Sequence, residues 1–266
     1  MSPNKIRLVV INPGDWDSTI SCCLLHHELD TNPKYIALSY AWGPTQVKKP
    51  IFVDGIELPV TVNLESALRH LRRQYEPLVI WIDAIAINQD DLAERSHQVG
   101  LMRRIYQQAS RVIVWLGDSV RHRTMGPPRR SQPPLRATFY GDARDDEQVA
   151  DFVRRWAVPC PSAKYTPLDV FCFIRMLMLP QHEGYRLMQL HLQQLPEIAE
   201  ALRVMLMSQW WTRMWVFQEV IVAPEVRFQY AGVEAPLDMF TMAAFCLTNH
   251  QYLSDLPSDA TKVLHR

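Results

Sequence analysis

The sequence predicts an α/β fold with a central, mostly parallel sheet flanked by helices. Three apolar runs of strand length carry this prediction, and they cover residues 35–40, 78–82 and 112–116. Amphipathic helical patterns separate the second run from the third and precede the second run. Strands that are apolar throughout and alternate with helices are typical of a parallel sheet covered on both faces.

An N-terminal β extension precedes this core. Strand patterns cover residues 6–11 and 21–29. Between the first and second core strands, the dipeptide Asp54-Gly55 separates two further apolar runs, and it is a strong signal for a two-residue hairpin turn. The sequence therefore predicts a pair of strands ahead of the core and a hairpin inside it.

Two helices are predicted to connect the core strands. Asn63 is expected to cap a helix over residues 64–71, because its side chain can accept from the first free backbone amides. A second helix is predicted over residues 91–109. Its apolar positions define a buried stripe at Val99, Met102, Ile105 and Tyr106.

The regular alternation stops after residue 117. Residues 121–136 are rich in proline and arginine, which favours an exposed loop over a basic patch for phosphate or membrane binding. Helical patterns follow over residues 145–156, 168–179, 185–195 and 197–207. We interpret residues 118–196 as a helical insert, after which a strand at 226–230 and a helix at 236–247 complete the chain.

The composition indicates a globular protein and argues against several functional classes. Of the 266 residues, 48% are hydrophobic and 21% are charged, which is enough apolar side chain for a substantial core. The 28 Lys and Arg residues balance 28 Asp and Glu residues, whereas nucleic-acid-binding domains usually carry a basic excess. Neither a P-loop nor a glycine-rich dinucleotide motif is present.

The sequence also favours a soluble, cytoplasmic protein without a membrane span. No apolar run reaches about 18 residues, and the N-terminus lacks the apolar core of a signal peptide. The five cysteines are odd in number and irregularly spaced. We therefore expect reduced thiols, and no spacing of Cys and His predicts a metal site.

A tryptophan-rich stretch, WWTRMWVFQEV at residues 210–220, contains a glutamate at position 219. It is predicted to belong to one helix over residues 209–222. At helical spacing Trp211, Trp215 and Glu219 share one face. A carboxylate on the aromatic face of a buried helix is either paired or functional, so Glu219 is the first candidate for a catalytic group.

The ends of the core strands supply further candidates, because open α/β sheets bind ligands at the carboxyl ends of their strands. Carboxylate and amide groups there suit sugar hydroxyls or a base edge, and aromatic side chains suit stacking on a flat ring. The acidic and amide residues could equally cap and turn the loop before the next helix. The candidates are Ser39, Tyr40, Trp42 and Gly43 after the first core strand, and Asp83, Asn88 and Gln89 after the second.

Three segments together resemble the fungal HET (heterokaryon incompatibility) domain: YIALSYAWG at 35–43, WIDAIAINQ at 81–89 and WVFQE at 215–219. The resemblance implies a single domain over residues 1–266, with a core at about 6–117 and 200–250. It also implies a role in self/non-self recognition and programmed cell death. Most members carry cysteine where this chain has Ala86, so a catalytic thiol is excluded there and Ala86 is expected to pack.

A more distant similarity links Leu38-Ser39-Tyr40 and residues 215–220 to TIR domains. It implies a TIR-like or flavodoxin-like core, and Glu219 matches the glutamate with which catalytic TIR domains cleave NAD. The chain departs from that pattern in its long insert and in Val216, which stands where TIR domains carry cysteine. We expect Arg213 and Trp215 to contribute to substrate binding beside Glu219, with NAD as a candidate substrate and no bound cofactor.

Two alternatives remain open. Glu219 could instead form a buried ion pair, with Arg213 or with an arginine of the 91–109 helix, that only fixes the local structure. The protein would then be a non-enzymatic death effector that acts by self-association or by recruiting a partner. Self-association or an upstream sensor domain is the expected partner interaction. It could also be a nucleotide sensor that binds its ligand without turnover.

Overall fold

A computed structural model of the protein describes residues 4–118, 133–156, 165–179, 195–213 and 216–249. The chain adopts an α/β fold and divides into two compact units. Of the described residues, 4–118, 133–134, 209–213 and 216–231 belong to the first unit, and 135–156, 165–179, 195–208 and 232–249 belong to the second. The single domain that the resemblance implies stays a prediction.

The strands follow the predicted order closely, and two short strands are additional. They are β1 (Lys5–Ile11), β2 (Ser21–Glu28), β3 (Ile36–Tyr40), β4 (Lys48–Val53), β5 (Ile56–Thr61), β6 (Leu78–Trp81), β7 (Val112–Trp115), β8 (Ala137–Thr138), β9 (Val226–Tyr230) and β10 (Val233–Pro236).

The described helices lie between and after these strands. They are α1 (Val62–Leu71), α2 (Asp83–Ala86), α3 (Leu92–Gln108), α4 (Asp146–Trp156), α5 (Pro167–Met176), α6 (Leu195–Leu206), α7 (Val216–Val220) and α8 (Leu237–Asn249). The predicted helix at 185–195 and most of the loop at 121–136 lie outside the described residues. Within the described part of the chain, no helix is long and apolar enough to cross a membrane.

The sheet of the first unit has the strand order β5-β4-β2-β1-β6-β3-β7-β9. Strands β6, β3, β7 and β9 run parallel to one another, whereas β1 pairs antiparallel with both β2 and β6. The predicted parallel core and N-terminal β extension are therefore confirmed. All residues of β3, β7 and β9 are buried, as expected for strands covered on both faces.

Helix α1 covers one face of this sheet. Its residues Leu64 and Leu68 pack in the same core cluster as Leu38 of β3, Ile80 of β6 and Ile113 of β7. The helix begins one turn before this contact, where the Thr61 side chain accepts from the backbone amide of Leu64. The prediction that Asn63 caps this helix is therefore wrong, and Asn63 makes other contacts.

Helix α3 also differs from its prediction in the face that it buries. Val99 is 43% exposed, whereas Gln98 and Leu101 are buried beside Ile105. The Gln98 side chain can be buried because its amide donates to the backbone carbonyl of Lys5 at 2.8 Å. This bond pairs the amide nitrogen of Gln98, whereas its Oε1 has no hydrogen-bond partner among the described residues. Apolar spacing alone therefore placed the buried stripe incorrectly.

The tryptophan-rich stretch is not one continuous helix. Residues Gln209–Thr212 form a 3₁₀ turn, Arg213 is non-helical, and α7 begins at Val216. Trp210 is buried edge-on to Phe228 of β9 at 5.4 Å, while Trp211 stacks on the same ring at 5.2 Å and stays 39% exposed. Packing of both indoles on one phenyl ring has overridden the helical periodicity.

The second unit contains the parallel pair β8–β10 and helices α4, α5, α6 and α8. Phe171 of α5 lies at its centre, with ring centroids 5.8 Å from Phe139 and 5.7 Å from Phe240. Helix α5 begins with a capping box in which Thr166 and Asp169 satisfy each other's backbone amides. These contacts support the prediction of helices in this part of the chain.

The hairpin between β4 and β5 gives a direct test of the fold. Gly55 has a φ of +79°, a region in which an L side chain costs about 1–2 kcal/mol. We expect Gly55→Ala to lower the free energy of unfolding by that amount in urea titrations. The control is Gly100→Ala in α3, where the exposed helical position should gain about 0.8 kcal/mol. Equal stability of the two variants would contradict the hairpin geometry.

Candidate functional site

The candidate site is at the carboxyl end of β3. Because β3 lies between β6 and β7 and runs parallel to both, the ends of three strands meet at one edge of the sheet. This is the position at which open α/β sheets bind their ligands. Ser39 and Tyr40 are the last two residues of β3, so their side chains point to opposite faces and enter two separate networks.

The first network joins Ser39 to Glu219 of α7. The Ser39 hydroxyl donates to Glu219 Oε2, and it accepts from the indole Nε1 of Trp210 at 2.6 Å. An indole N–H can only donate. Trp210 therefore fixes the acceptor side of the Ser39 hydroxyl, and the hydroxyl proton is directed to the glutamate.

Arg213 completes this network. Its two terminal nitrogens donate to Glu219 Oε1 at 2.9 Å and to Oε2 at 3.1 Å, in a bidentate ion pair. Glu219 is 1% exposed, and its two partner residues supply three donor groups to the carboxylate. The expected pairing of Glu219 with Arg213 is thus present, and the same carboxylate also points to the end of β3.

The second network surrounds Asp83, which begins α2 directly after β6. Asp83 Oδ2 accepts from the indole of Trp42 at 3.0 Å, Oδ1 accepts from the backbone amide of Ala84 at 2.7 Å, and the Tyr40 hydroxyl also donates to this carboxylate. Burial raises the pKa of the Asp83 carboxyl, and these donors offset part of that increase. Trp42 is 41% exposed, so its ring is open to a ligand while its N–H is held.

Arg213 connects the two networks electrostatically. Its positive charge acts on Asp83 as well as on Glu219, and it also acts on the hydroxyl groups of Tyr40 and Tyr106. Burial raises the pKa of both tyrosines well above the usual value. In the described cluster, one guanidinium therefore faces two carboxylates.

The turn after β3 is held by Gly43 and Asn63. Gly43 has a φ of +73°, which favours glycine, and the residue that follows it is a proline. The Asn63 amide donates to the carbonyl of Ala41 at 2.6 Å, and its oxygen accepts from Trp115 Nε1 at 3.0 Å. Asn63 therefore links the ends of β3 and β7.

Asn88 and Gln89 organise the loop between α2 and α3. Gln89 donates to the carbonyl of Asp83 at 3.0 Å, while Asn88 Oδ1 accepts from the amide of Asp90 at 3.2 Å. These are the contacts of a turn, and a substrate-binding role for either residue stays a prediction. Ala86 is buried, as expected. Trp215 lies outside the described residues.

Sequence reasoning did not assign three polar contributors to this site. Tyr106 donates to the carbonyl of Leu38 at 3.0 Å, beside Ser39, and Trp210 and Asn63 supply the contacts given above. Tyr106 and Trp210 have the spacing of core residues. Such spacing predicts that the rings are buried, but it does not show that the Tyr106 hydroxyl or the Trp210 indole N–H makes a hydrogen bond in the site. Among the described residues, no group of His, Cys, Asp and Glu could hold a metal ion.

The Asn63 link can be tested through stability. Asn63→Ala leaves the indole N–H of buried Trp115 without its acceptor, and an unsatisfied buried donor costs about 1–3 kcal/mol. Chemical unfolding should show this loss. Asn12→Ala is the control, because Asn12 makes a solvent-exposed bond to Ser21 and should change stability by no more than about 0.5 kcal/mol.

The raised pKa of Asp83 predicts a pH dependence. A carboxyl whose folded pKa is raised stabilises the fold most below its unfolded pKa of about 3.9, and loses that contribution as the pH rises through the folded value. The free energy of unfolding of wild type, relative to Asp83→Asn, should therefore fall as the pH rises above about 4. Urea titrations across this range measure the difference. A difference that grows with pH would contradict the burial of the charge.

Comparison with known proteins identifies the family. The model of the family described as "Heterokaryon incompatibility protein (HET)" matches residues 35–219, from the start of the first core strand segment to Glu219. "Heterokaryon incompatibility protein 6, OR allele" from Neurospora crassa is 45% identical over 129 residues, which cover 43% of this chain and 19% of that relative. The chain thus spans about a fifth of the relative's length. No solved structure matches. The chain belongs to the heterokaryon incompatibility (HET) family.

Proposed function

We propose that this chain is a signalling domain of fungal heterokaryon incompatibility that triggers programmed cell death in the cytoplasm. Membership of the family and the name of the Neurospora crassa relative support this role. Activation by self-association or by an upstream sensor domain is part of the same proposal.

The proposed reaction is cleavage of NAD, or a related nucleotide, at the N-glycosidic bond, with Glu219 as the catalytic carboxylate. The observation that supports it best is the contact between Ser39 and Glu219 at the carboxyl end of β3. It joins a buried carboxylate to the strand end where α/β sheets bind ligands. Ser39 is the β3 residue that contacts Glu219, whereas Tyr40 belongs to the network around Asp83.

The chemistry requires few groups. The bond from ribose C1′ to the nicotinamide nitrogen breaks, its electron pair neutralises the pyridinium ring, and water adds to C1′ with release of a proton. The transition state resembles an oxocarbenium ion, as in glycoside hydrolysis. A fixed carboxylate stabilises that positive charge, and Glu219 is held in place by Ser39.

The second network suits the remainder of such a substrate. Trp42 is exposed and its indole is oriented by Asp83, so its face can stack on a planar ring. Asp83 can accept from ribose hydroxyls as it accepts from Tyr40 and Trp42. Because Gly43 has no side chain, the backbone of the turn beside Trp42 is open to the substrate.

A non-enzymatic death effector is the second candidate, and the burial of Glu219 favours it. The carboxylate is 1% exposed and is engaged by Ser39 and by both terminal nitrogens of Arg213. A group with these contacts can serve the fold alone. In that case the domain would signal by recruiting a partner, without substrate turnover.

Glu219→Gln separates the two candidates. It preserves the shape of the side chain and removes the charge, so an enzyme should release nicotinamide from NAD about 10²–10³ times more slowly. Nicotinamide release by the purified protein measures this. The matched control is Glu65→Gln in α1, which neutralises another buried carboxylate, paired with Lys49 and Arg69.

The control variant should lose stability but keep its turnover, because Glu65 lies outside the site. Equal rates for Glu219→Gln and wild type would contradict the reaction, as would an absence of turnover by wild type at high protein concentration. Expression in fungal cells tests the second candidate. Cell death that persists undiminished with Glu219→Gln would favour the non-enzymatic effector.

A further inference from the structure

Arg213 occupies the carboxylate that the proposed reaction needs. Both oxygens of Glu219 accept from its guanidinium, and Oε2 accepts from Ser39 as well. Three of the roughly four lone-pair sites of this carboxylate are engaged, and the residue is 1% exposed, so the hydroxyls of a ribose cannot reach it in this state. Ser39 can stay in place during a reaction because it engages one oxygen, whereas the bidentate arginine engages both.

The position of Arg213 permits it to move. It is a non-helical residue between the 3₁₀ turn at Gln209–Thr212 and the first residue of α7, and its side chain is 22% exposed. Glu219, in contrast, is 1% exposed and lies within α7. Of the two partners, the arginine is the one whose side chain already reaches the surface.

A second acceptor for this guanidinium lies in the same cluster. Asp83 is within electrostatic reach of Arg213, and none of the ion pairs in the described residues includes it. Its hydrogen-bond donors are the neutral groups of Trp42, Ala84 and Tyr40. Burial raises the pKa of Asp83, which is the behaviour of a carboxylate that lacks full compensation of its charge.

We propose that the Arg213–Glu219 ion pair is an autoinhibitory contact, which opens when the Arg213 guanidinium exchanges from Glu219 to Asp83. In the closed state Asp83 lacks a cationic partner, and in the open state Glu219 lacks one. Because each state leaves one of the two carboxylates without a cation, the two states can be close in free energy. The catalytic consequence rests on the proposed function, whereas the exchange itself does not.

A substrate-binding or purely structural role of Arg213 predicts the opposite change in turnover when Arg213 is replaced. If Arg213 bound the substrate, or only stabilised the fold, Arg213→Gln would reduce turnover. If Arg213 is autoinhibitory, the same variant exposes the Glu219 carboxylate and increases turnover. The sign of the change therefore distinguishes these roles.

Chemical labelling tests the exchange without any enzymatic readout. A water-soluble carbodiimide with an amine nucleophile modifies accessible carboxylates, and mass spectrometry reports the rate at each residue. In Arg213→Gln the labelling of Glu219 should accelerate about tenfold, which corresponds to about 1.4 kcal/mol. Asp83→Asn removes the second acceptor, so labelling of Glu219 should fall below the wild-type rate.

Arg69→Gln is the matched control, because Arg69 pairs with the buried Glu65 of α1 outside the site. It should accelerate labelling of Glu65 and leave Glu219 unchanged. Circular dichroism verifies folding. If Arg213→Gln does not fold, Arg213→Lys keeps the charge but not the bidentate geometry, and should accelerate Glu219 labelling by a smaller factor. Unchanged Glu219 labelling in the folded Arg213 variants, or faster labelling in Asp83→Asn, would overturn the exchange.

Nicotinamide release by the same variants separates this inference from the proposed function. Faster release by Arg213→Gln than by wild type is the expected result. Accelerated labelling without release by any variant would uphold the exchange and refute the reaction. Release that depends on Glu219 but falls in Arg213→Gln, with unchanged labelling, would uphold the reaction and refute the exchange.

Discussion

A buried charge must be compensated, and the carboxylate of Glu219 imposes this requirement on the site. Its 1% exposure excludes water as the main partner, so protein donors have to supply the compensation. Arg213 provides a cation and Ser39 provides a hydroxyl. The Ser39 hydroxyl is oriented in turn by the indole of Trp210. The contact thereby joins the end of β3, the 3₁₀ turn and helix α7.

The parallel sheet determines which groups can take part. Since β3 lies between β6 and β7, the residues that end these strands meet at one edge. Side-chain alternation along β3 then sends Ser39 to Glu219 and Tyr40 to Asp83. Two carboxylates that are far apart in sequence consequently face the same guanidinium. Glu219 and Asp83 can therefore compete for the Arg213 guanidinium only because the sheet brings both carboxylates to it.

Much of the fold could be predicted because its signals are local. The core strands are continuous apolar runs, and the left-handed Asp54-Gly55 turn is specified by a dipeptide. Two of the failures share a cause, which is a polar side chain that contacts a distant partner. Gln98 is buried because it reaches the backbone of Lys5, and Asn63 contacts Ala41 and Trp115 where a helix cap was expected.

By itself, the sequence determined the α/β class, because apolar runs of strand length and the helical patterns between them are local signals. The strand-end site and a functional role for Glu219 stay predictions. Only the tertiary structure decided what surrounds that glutamate. The contact of Ser39 with Glu219 spans 180 positions, and the pairing of two indoles with Phe228 interrupts the helix that periodicity predicts. Hydrogen bonding and ring packing between distant segments depend on how the chain brings them together, so local spacing does not encode them.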